Sequence, residues 1–273
     1  MDPRAPLTPD LVEPLIAPRG PLALAAVVPD EPSTNTALAA ALRQNPDAWP
    51  HLSAYVADHQ TAGRGRSGRV WETPRGVALT ASFVLRPRAS GPDLAWAPLV
   101  VGLAAVRAVR ALGVDAALKW PNDVIVDVAG ADDIAGWGTW RKVVGILCEI
   151  VDGAVVAGVG VNVAQGAHEL PVPHAASLAS LGMEVTRVAV LDRLASEIAA
   201  ACRLWDADPE AIRAEVTDVC ATLGLPVAVD AGGPSPVVGT ATGLGGDGAL
   251  LVTTASGVIT AVLAGDVRVR RAR

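Results

Sequence analysis

The chain reads as an α/β domain followed by a small all-β domain, and two observations predict this. From Leu22 to about residue 222, β-branched runs alternate with stretches of helical apolar periodicity; beyond Gly224 short strands are separated only by glycine turns. The length of 273 residues fits one large domain with an appendage, or two domains.

Residues 1–20, "MDPRAPLTPDLVEPLIAPRG", are punctuated by proline and are expected to form a flexible, loosely docked leader. "LALAAVV" (Leu22–Val28) reads as a buried strand, and "STNTALAAALRQN" as a helix opening at a Ser or Thr cap. "SAYVADH" is a second strand that leads into a glycine-arginine loop. "VALTASFVL" alternates as a strand, and Leu94–Leu112 has helical periodicity ending at Gly113. Four strands follow, "ALKW", "PNDVIVDV", "KVVGILCEIV" and "AVVAGVGVNV", with Asp152-Gly153 as a hairpin turn between the last two. Ala129–Arg141, "AGADDIAGWGTWR", reads as a mobile surface loop. Residues 187–222 are helical with a break at Pro209. The domains are thus expected at 21–222 and 223–273, the latter a small β-barrel.

Composition narrows the function classes. Although 51% of residues are hydrophobic, no uninterrupted apolar run reaches the roughly 18 to 20 residues of a membrane span, and the N-terminus lacks the signal-peptide pattern. A cytoplasmic protein that binds no membrane is expected. A net charge of -6 argues against general nucleic-acid binding. Cys148, Cys202 and Cys220 show neither disulfide nor zinc spacing and read as reduced, buried thiols; the four histidines show no metal pattern.

Against that acidic background "HQTAGRGRSGRVW" (His59–Trp71) carries three arginines, three glycines and no carboxylate. Glycines let backbone amides approach an anion, and guanidinium groups can grip phosphate or carboxylate oxygens in pairs. The spacing is neither a P-loop nor a Rossmann fingerprint, and a solvated Arg-Gly turn has the same composition. A second signal is that only two of the 22 basic residues are lysines, Lys119 and Lys142. A lysine in such a chain is a candidate for chemistry rather than for solvation.

"STN" (Ser33–Asn35), "QTAGRGRSGRVW" (Gln60–Trp71), "KWPNDV" (Lys119–Val124), "KVVGILCE" (Lys142–Glu149) and "GVGVNV" (Gly158–Val163) occur in this order. Together they resemble the biotin protein ligase family over residues 22 to 273. The resemblance implies a catalytic domain with a mixed sheet, related to class II aminoacyl-tRNA synthetases, and an SH3-like terminal barrel. It implies an enzyme that uses ATP and Mg to convert biotin to biotinyl-5'-AMP and pyrophosphate. The biotinyl group then passes to a specific lysine of a biotin carboxyl carrier protein of acetyl-CoA carboxylase.

Residue by residue, the resemblance makes Lys142 the catalytic lysine bridging the biotin carboxylate and α-phosphate, with Arg66 beside it. Gly63, Arg64, Gly65, Arg66 and Arg69 would cover the carboxylate and the nucleotide phosphate, as an ordered lid over residues 63–70 once ligand is bound. Ser33, Thr34, Asn35 and Gln60 match positions around the ureido ring, although Ser33 reads equally as a helix cap. Gly145 and Gly158 would leave room for the biotin tail, or else be strand bulges. Asn162 and Trp71 match positions at adenine. Asp123 is a candidate magnesium ligand or organiser of the cationic loop, or simply a turn residue. Some family members carry an N-terminal DNA-binding domain; the 32 residues before Ser33 are proline-rich, so no DNA binding is expected, and a monomer or weak homodimer is. Lipoate and octanoate ligases or transferases share the fold and are the alternative reading. A noncatalytic Arg-Gly RNA-binding protein is the remote one.

Overall fold

A seven-stranded mixed sheet carries the motif residues. The computed structural model describes residues 2–269. A short helix α1 (Pro9–Val12) precedes β1 (Leu24–Glu31), α2 (Thr34–Gln44) and β2 (Ser53–Gln60). The arginine loop folds as a small hairpin, β3 (Gly63–Arg64) and β4 (Val70–Trp71). β5 (Ala78–Leu85), α3 (Ala97–Ala111), β6 (Ala116–Lys119), β7 (Asp123–Asp127), β8 (Trp140–Val151) and β9 (Ala154–Asn162) follow. The strand order is β1-β2-β5-β9-β8-β7-β6, with β1 and β2 parallel and every other pair antiparallel.

Alternation along the strands decides the two faces. Val84 and Val156 pack on Leu38, Ala39 and Leu42 of α2, whereas their neighbours Phe83, Val155 and Ala157 belong to the core on the other face, with α3. Continuing in steps of two, Ser82 and Thr80 of β5 and Gly158, Gly160 and Asn162 of β9 lie on the α2 face. That face carries the site. The opposite face is closed by α3, α4 (Arg187–Ala207) and α5 (Pro209–Val219). Asp208 ends α4 and caps α5 by accepting from Ala211 N–H at 3.0 Å, with Pro209 at the first helical position.

Gly91–Ala111 is long and apolar enough to cross a membrane, with mean hydropathy 1.5, but it is the central helix of the core and 67% of that window is buried. Asp152 and Gly153 both take positive φ, 47° and 79°, which a two-residue hairpin of this hand requires.

β10 (Pro226–Asp230), β11 (Val237–Leu244), β12 (Leu250–Thr253), β13 (Ile259–Val262) and β14 (Asp266–Val269) form an antiparallel five-stranded sheet, ordered β13-β12-β11-β10-β14 and consistent with a small barrel-like domain. Its buried side, including Val227, Val229, Leu250 and Val252, is continuous with the main core. Two indoles anchor it: Trp96 Nε1 donates to Gly246 O at 2.8 Å, and Trp120 Nε1 to Gly248 O at 3.0 Å.

Three expectations are corrected. The leader is not loosely docked: Leu7, Val12 and Leu15 are buried in the core, and Leu7 N–H donates to Asp58 Oδ1 at 2.8 Å. The fully buried Arg187 donates to that carboxylate and to Ala5 O, both at 2.7 Å. Prolines limited the leader to short helical turns, with Pro9 and Pro14 in first-turn positions, but did not prevent burial of the leucines between them. The first strand is only half-buried, because it is an edge of the sheet. And of residues 129–141, Trp140 and Arg141 already belong to β8, while the stretch before them closes in a hydrogen-bonded turn at Ile134–Gly138 rather than a loose loop.

Candidate active site

The N-terminus of α2 enters the α2 face of the sheet beside β5 and β9, and its first residues are almost wholly buried. Ser33 caps the helix through a long 3.5 Å contact from Thr36 N–H. Thr34 N–H and Oγ1 both donate to Gln60 Oε1, at 2.8 and 3.0 Å. Ser82 Oγ lies 2.6 Å from Asn35 Oδ1 and 2.8 Å from Thr34 Oγ1, and Asn35 Nδ2 donates to Leu147 O at 2.9 Å and Glu149 Oε2 at 3.0 Å. The result is a rigid, uncharged polar wall of amides and hydroxyls.

The floor is made of glycines. A Cβ on Gly158 would collide with the Asn35 carboxamide, and one on Gly160 would lie 2.5 Å from Trp71 Cε2. A Cβ on Gly145 would meet Trp71 Cζ3 at 2.8 Å and the Lys142 ammonium at 3.1 Å. These positions are small because side chains from elsewhere occupy the space above them. Gly63 serves differently: it pairs with Trp71 in the hairpin, a Cβ would strike the Trp71 carbonyl, and it lies outside the cavity that the other motif residues line.

Lys142 reaches the cavity through a bulge. Val124 of β7 pairs with Val144 and the next residue, Ile125, with Lys142, so Val143 is skipped. Strict alternation would put Lys142 and Gly145 on opposite faces, and the bulge returns Lys142 to the face of Gly145. Its Nζ lies 2.6 Å from Asp123 Oδ1 and 5.5 Å from the centroid of a Trp71 ring. Burial works to raise the Asp123 pKa, but the ammonium groups of Lys142 and Lys119 outweigh it and hold the carboxyl below its ordinary value. Asp123 is therefore a counter-ion to two lysines. No group of three His, Cys, Asp or Glu side chains clusters among the described residues; a magnesium ion arriving on nucleotide phosphates needs only one or two protein carboxylates, and Asp123 lines the cavity.

The arginine loop closes the opposite side. Gly65 N–H donates to Arg69 O at 2.7 Å, and Ser67 and Gly68 both turn through positive φ, 53° and 73°. Arg64 lies 3.4 Å from Glu149, and Arg66 Nη1 donates to Asn122 Oδ1 at 3.3 Å. Burial draws the Arg66 pKa down from its ordinary value. Arg69 pairs with Asp266 of β14, so the terminal sheet contributes a carboxylate to the rim. Asn162 is buried and its amide is engaged, donating to Ala176 O at 3.0 Å and accepting from Gln165 Nε2 at 2.9 Å. Trp71 Nε1 is buried and has no acceptor among the described residues.

Every site residue that the sequence motifs named, except Gly63, lines one cavity of about 640 Å³; a second, about 760 Å³, lies across the arginine loop towards α3 and the terminal sheet. Sequence reasoning assigned no role to Lys119, Trp137, His174 or Asp266, which also line the first cavity. Lysine scarcity had pointed to Lys119, but no signal could have tied Asp266 to the loop.

The chain is similar to known proteins over most of its length. The Biotin/lipoate A/B protein ligase family matches residues 27–165, and the Biotin protein ligase C terminal domain matches residues 222–270. The chain belongs to the biotin protein ligase family. A biotin--[acetyl-CoA-carboxylase] ligase of Mycobacterium tuberculosis is 34% identical over 220 residues, covering 78% of this chain and 77% of the relative. The bifunctional ligase/repressor BirA of Escherichia coli is 29% identical over 80% of this chain and 67% of its own. Among solved structures, the biotin protein ligase from Aquifex aeolicus in complex with biotin and ATP superposes with a TM-score of 0.71 at 28% identity, covering 91% of this chain and 99% of that one. As a member of the biotin protein ligases, the chain is an enzyme, and its mixed sheet with a terminal antiparallel sheet is the family's architecture.

Proposed function

We propose that this biotin protein ligase activates biotin with MgATP and transfers the biotinyl group to one lysine of a biotin carboxyl carrier protein of acetyl-CoA carboxylase. The observation that carries this reading is the Lys142 ammonium, 2.6 Å from Asp123, in a single cavity between an uncharged polar wall and a loop with three arginines. A molecule with a neutral cyclic urea at one end and a carboxylate at the other suits those two sides. The complex of the Aquifex aeolicus enzyme with biotin and ATP and the name of the Mycobacterium tuberculosis relative support the substrates.

In the first half-reaction a biotin carboxylate oxygen attacks the α-phosphorus of ATP, and the bond to the bridging oxygen breaks to release pyrophosphate. Two anions must approach, so the barrier is largely electrostatic. Lys142 lies between them, Asp123 fixes its Nζ, and Arg64, Arg66 and Arg69 neutralise the remaining oxygens. Asn35, Thr34, Gln60 and Ser33 meet the ureido group, Gly145 and Gly158 let Trp71, Lys142 and Asn35 close onto the cavity floor, and Gly65 lets the loop backbone approach the substrate. Trp71 packs on the ligand with its indole N–H free to donate to it, and Asn162 borders the nucleotide. Magnesium enters with ATP, as part of that substrate. In the second half-reaction the carrier's lysine amine attacks the carbonyl carbon, AMP leaves and the amine's proton is lost to solvent.

The experiment is biotin-dependent exchange of labelled pyrophosphate into ATP, for the wild type and Lys142→Ala, with lipoate as control acid. Exchange with biotin alone, lost in the variant, is expected. Exchange supported by lipoate and not by biotin would transfer the reading to the lipoate branch.

A further inference from the structure

The connection between β7 and β8 is longer than a hairpin needs, and its added residues form a closed turn. Trp137 N–H and Gly138 N–H both donate to Ile134 O, at 2.8 and 2.7 Å. The buried Arg141 commits its guanidinium to the same segment, donating to Asp132 O at 2.7 Å and to Gly138 O at 3.2 Å. A guanidinium buried on carbonyls costs desolvation, and its return is fixed geometry.

What is fixed is Trp137. Its ring stacks on His174, with centroids 4.2 Å apart and planes 16° from parallel, and the Lys119 ammonium lies 4.4 Å from a ring centroid. Burial, then the Lys142 charge, lowers the His174 pKa, so the stacked imidazole is neutral near pH 7 and does not repel the ammonium. Lys119 is only 4% exposed, yet it lines the cavity that Lys142, Arg66 and Arg69 also line. A cation–π contact favours a desolvated ammonium most, and here it restrains a flexible four-carbon chain without neutralising it.

We propose that Trp137 is a positioning residue for the nucleotide: its indole holds the Lys119 ammonium at the cavity wall, so that the phosphate chain of ATP meets a cation already in place. The inference rests on the reading of the cavity as a biotin and ATP site, and adds a residue from the insertion to it.

The test compares Trp137→Leu, Trp137→Phe, Lys119→Met and the double variant Lys119→Met/Trp137→Leu. The KM for ATP is read in pyrophosphate exchange, the Kd for biotin by calorimetry without nucleotide, and folding by the melting temperature. Trp137→Leu is expected to raise the KM for ATP about ten-fold and to leave biotin affinity within two-fold. Trp137→Phe, which keeps a ring face, should recover most of the loss, and the double variant should be no worse than Lys119→Met, because the indole acts through that ammonium. An unchanged KM in Trp137→Leu, multiplying losses in the double variant, or a parallel fall in biotin affinity would overturn the proposal. If Trp137→Leu does not fold, the decision falls to Trp137→Phe: a KM raised as far as in Lys119→Met overturns it, and one near wild type supports it. A wild type without exchange would instead refute the biotin and ATP reading itself.

Discussion

The Lys142 ammonium and the Asp123 carboxylate face each other at 2.6 Å across the bulge that brings Lys142 to the cavity. The pair sets the ammonium proposed to lie between the two substrate anions against a fixed counter-charge. Lys142→Ala should lower the exchange rate by about 10²- to 10³-fold, the range for removing one preorganised electrostatic group. Asp123→Asn keeps the shape and frees the ammonium, so a loss of about ten-fold in kcat with biotin affinity retained is expected. Steady-state exchange with calorimetry for biotin checks both; equal losses of kcat and affinity in Asp123→Asn would contradict a positioning role.

Gly158→Ala places a methyl group against the Asn35 carboxamide, which cannot retreat because Ser82, Leu147 and Glu149 hold it. Biotin affinity should fall at least ten-fold. Gly243→Ala, where the added carbon meets only Leu251 Cδ1 at 3.8 Å, is the matched control and should bind as the wild type does.

Asp266 holds Arg69 by an ion pair exposed on both sides. Such a pair contributes about 0–1 kcal/mol, so Asp266→Asn should hardly move the melting temperature. Its effect should appear in nucleotide binding: a phosphate no longer competes with Asp266 for Arg69, and the KM for ATP is expected to fall by about two- to five-fold. A rise in KM would mean that the pair presents Arg69 instead of withholding it.

The Arg4 hydrogen bonds, reinforced by Gly166 N–H, hold the Glu169 carboxyl down at about 2, from an ordinary value of 4.5. A lowered carboxyl pKa stabilises the fold above the unfolded value and stops doing so as pH falls through the folded one. Glu169→Gln should therefore melt slightly earlier than the wild type at pH 7, and the gap should close between about pH 4.5 and pH 2. Melting curves across that window would show a constant gap if the carboxylate charge were irrelevant.

Asp58 and Arg187 form a pair that is nearly inaccessible on both sides, 7% and 1% exposed. Asp58→Ala strands a buried guanidinium and should cost about 3–5 kcal/mol in urea unfolding. A cost below 1 kcal/mol would show that the carbonyls of Ala5, Asp58 and Ala78 suffice for Arg187.

Much of the site was legible because it depends on local chemistry. Ser33, Asn35, Gln60, Arg66 and Lys142 stand in short motifs, and the Asp152-Gly153 turn follows from two adjacent residues. The face that Lys142 occupies was not legible, since it depends on one skipped residue, Val143, in the pairing of β7 with β8. The partnership of Asp266 with Arg69 spans 197 positions and needs the terminal sheet to be docked. The leader misled because proline content reports lost backbone hydrogen bonding, while the burial of Leu7 and Leu15 is decided by the groove beneath them. The segment that carries Trp137 and Trp140 reads as a mobile loop until Arg141 is placed as the clamp on it.

The two indole donors that reach across to Gly246 and Gly248 have a consequence for how the molecule comes apart. Trp120 immediately follows Lys119 and precedes the Asn122-Asp123 step, so the terminal sheet is fastened to the backbone that carries the charged cluster. Peeling that sheet away would break both hydrogen bonds and expose two buried indole rings to water, so partial detachment is penalised at once. The whole chain should melt as one cooperative unit, with tryptophan fluorescence and backbone circular dichroism changing together.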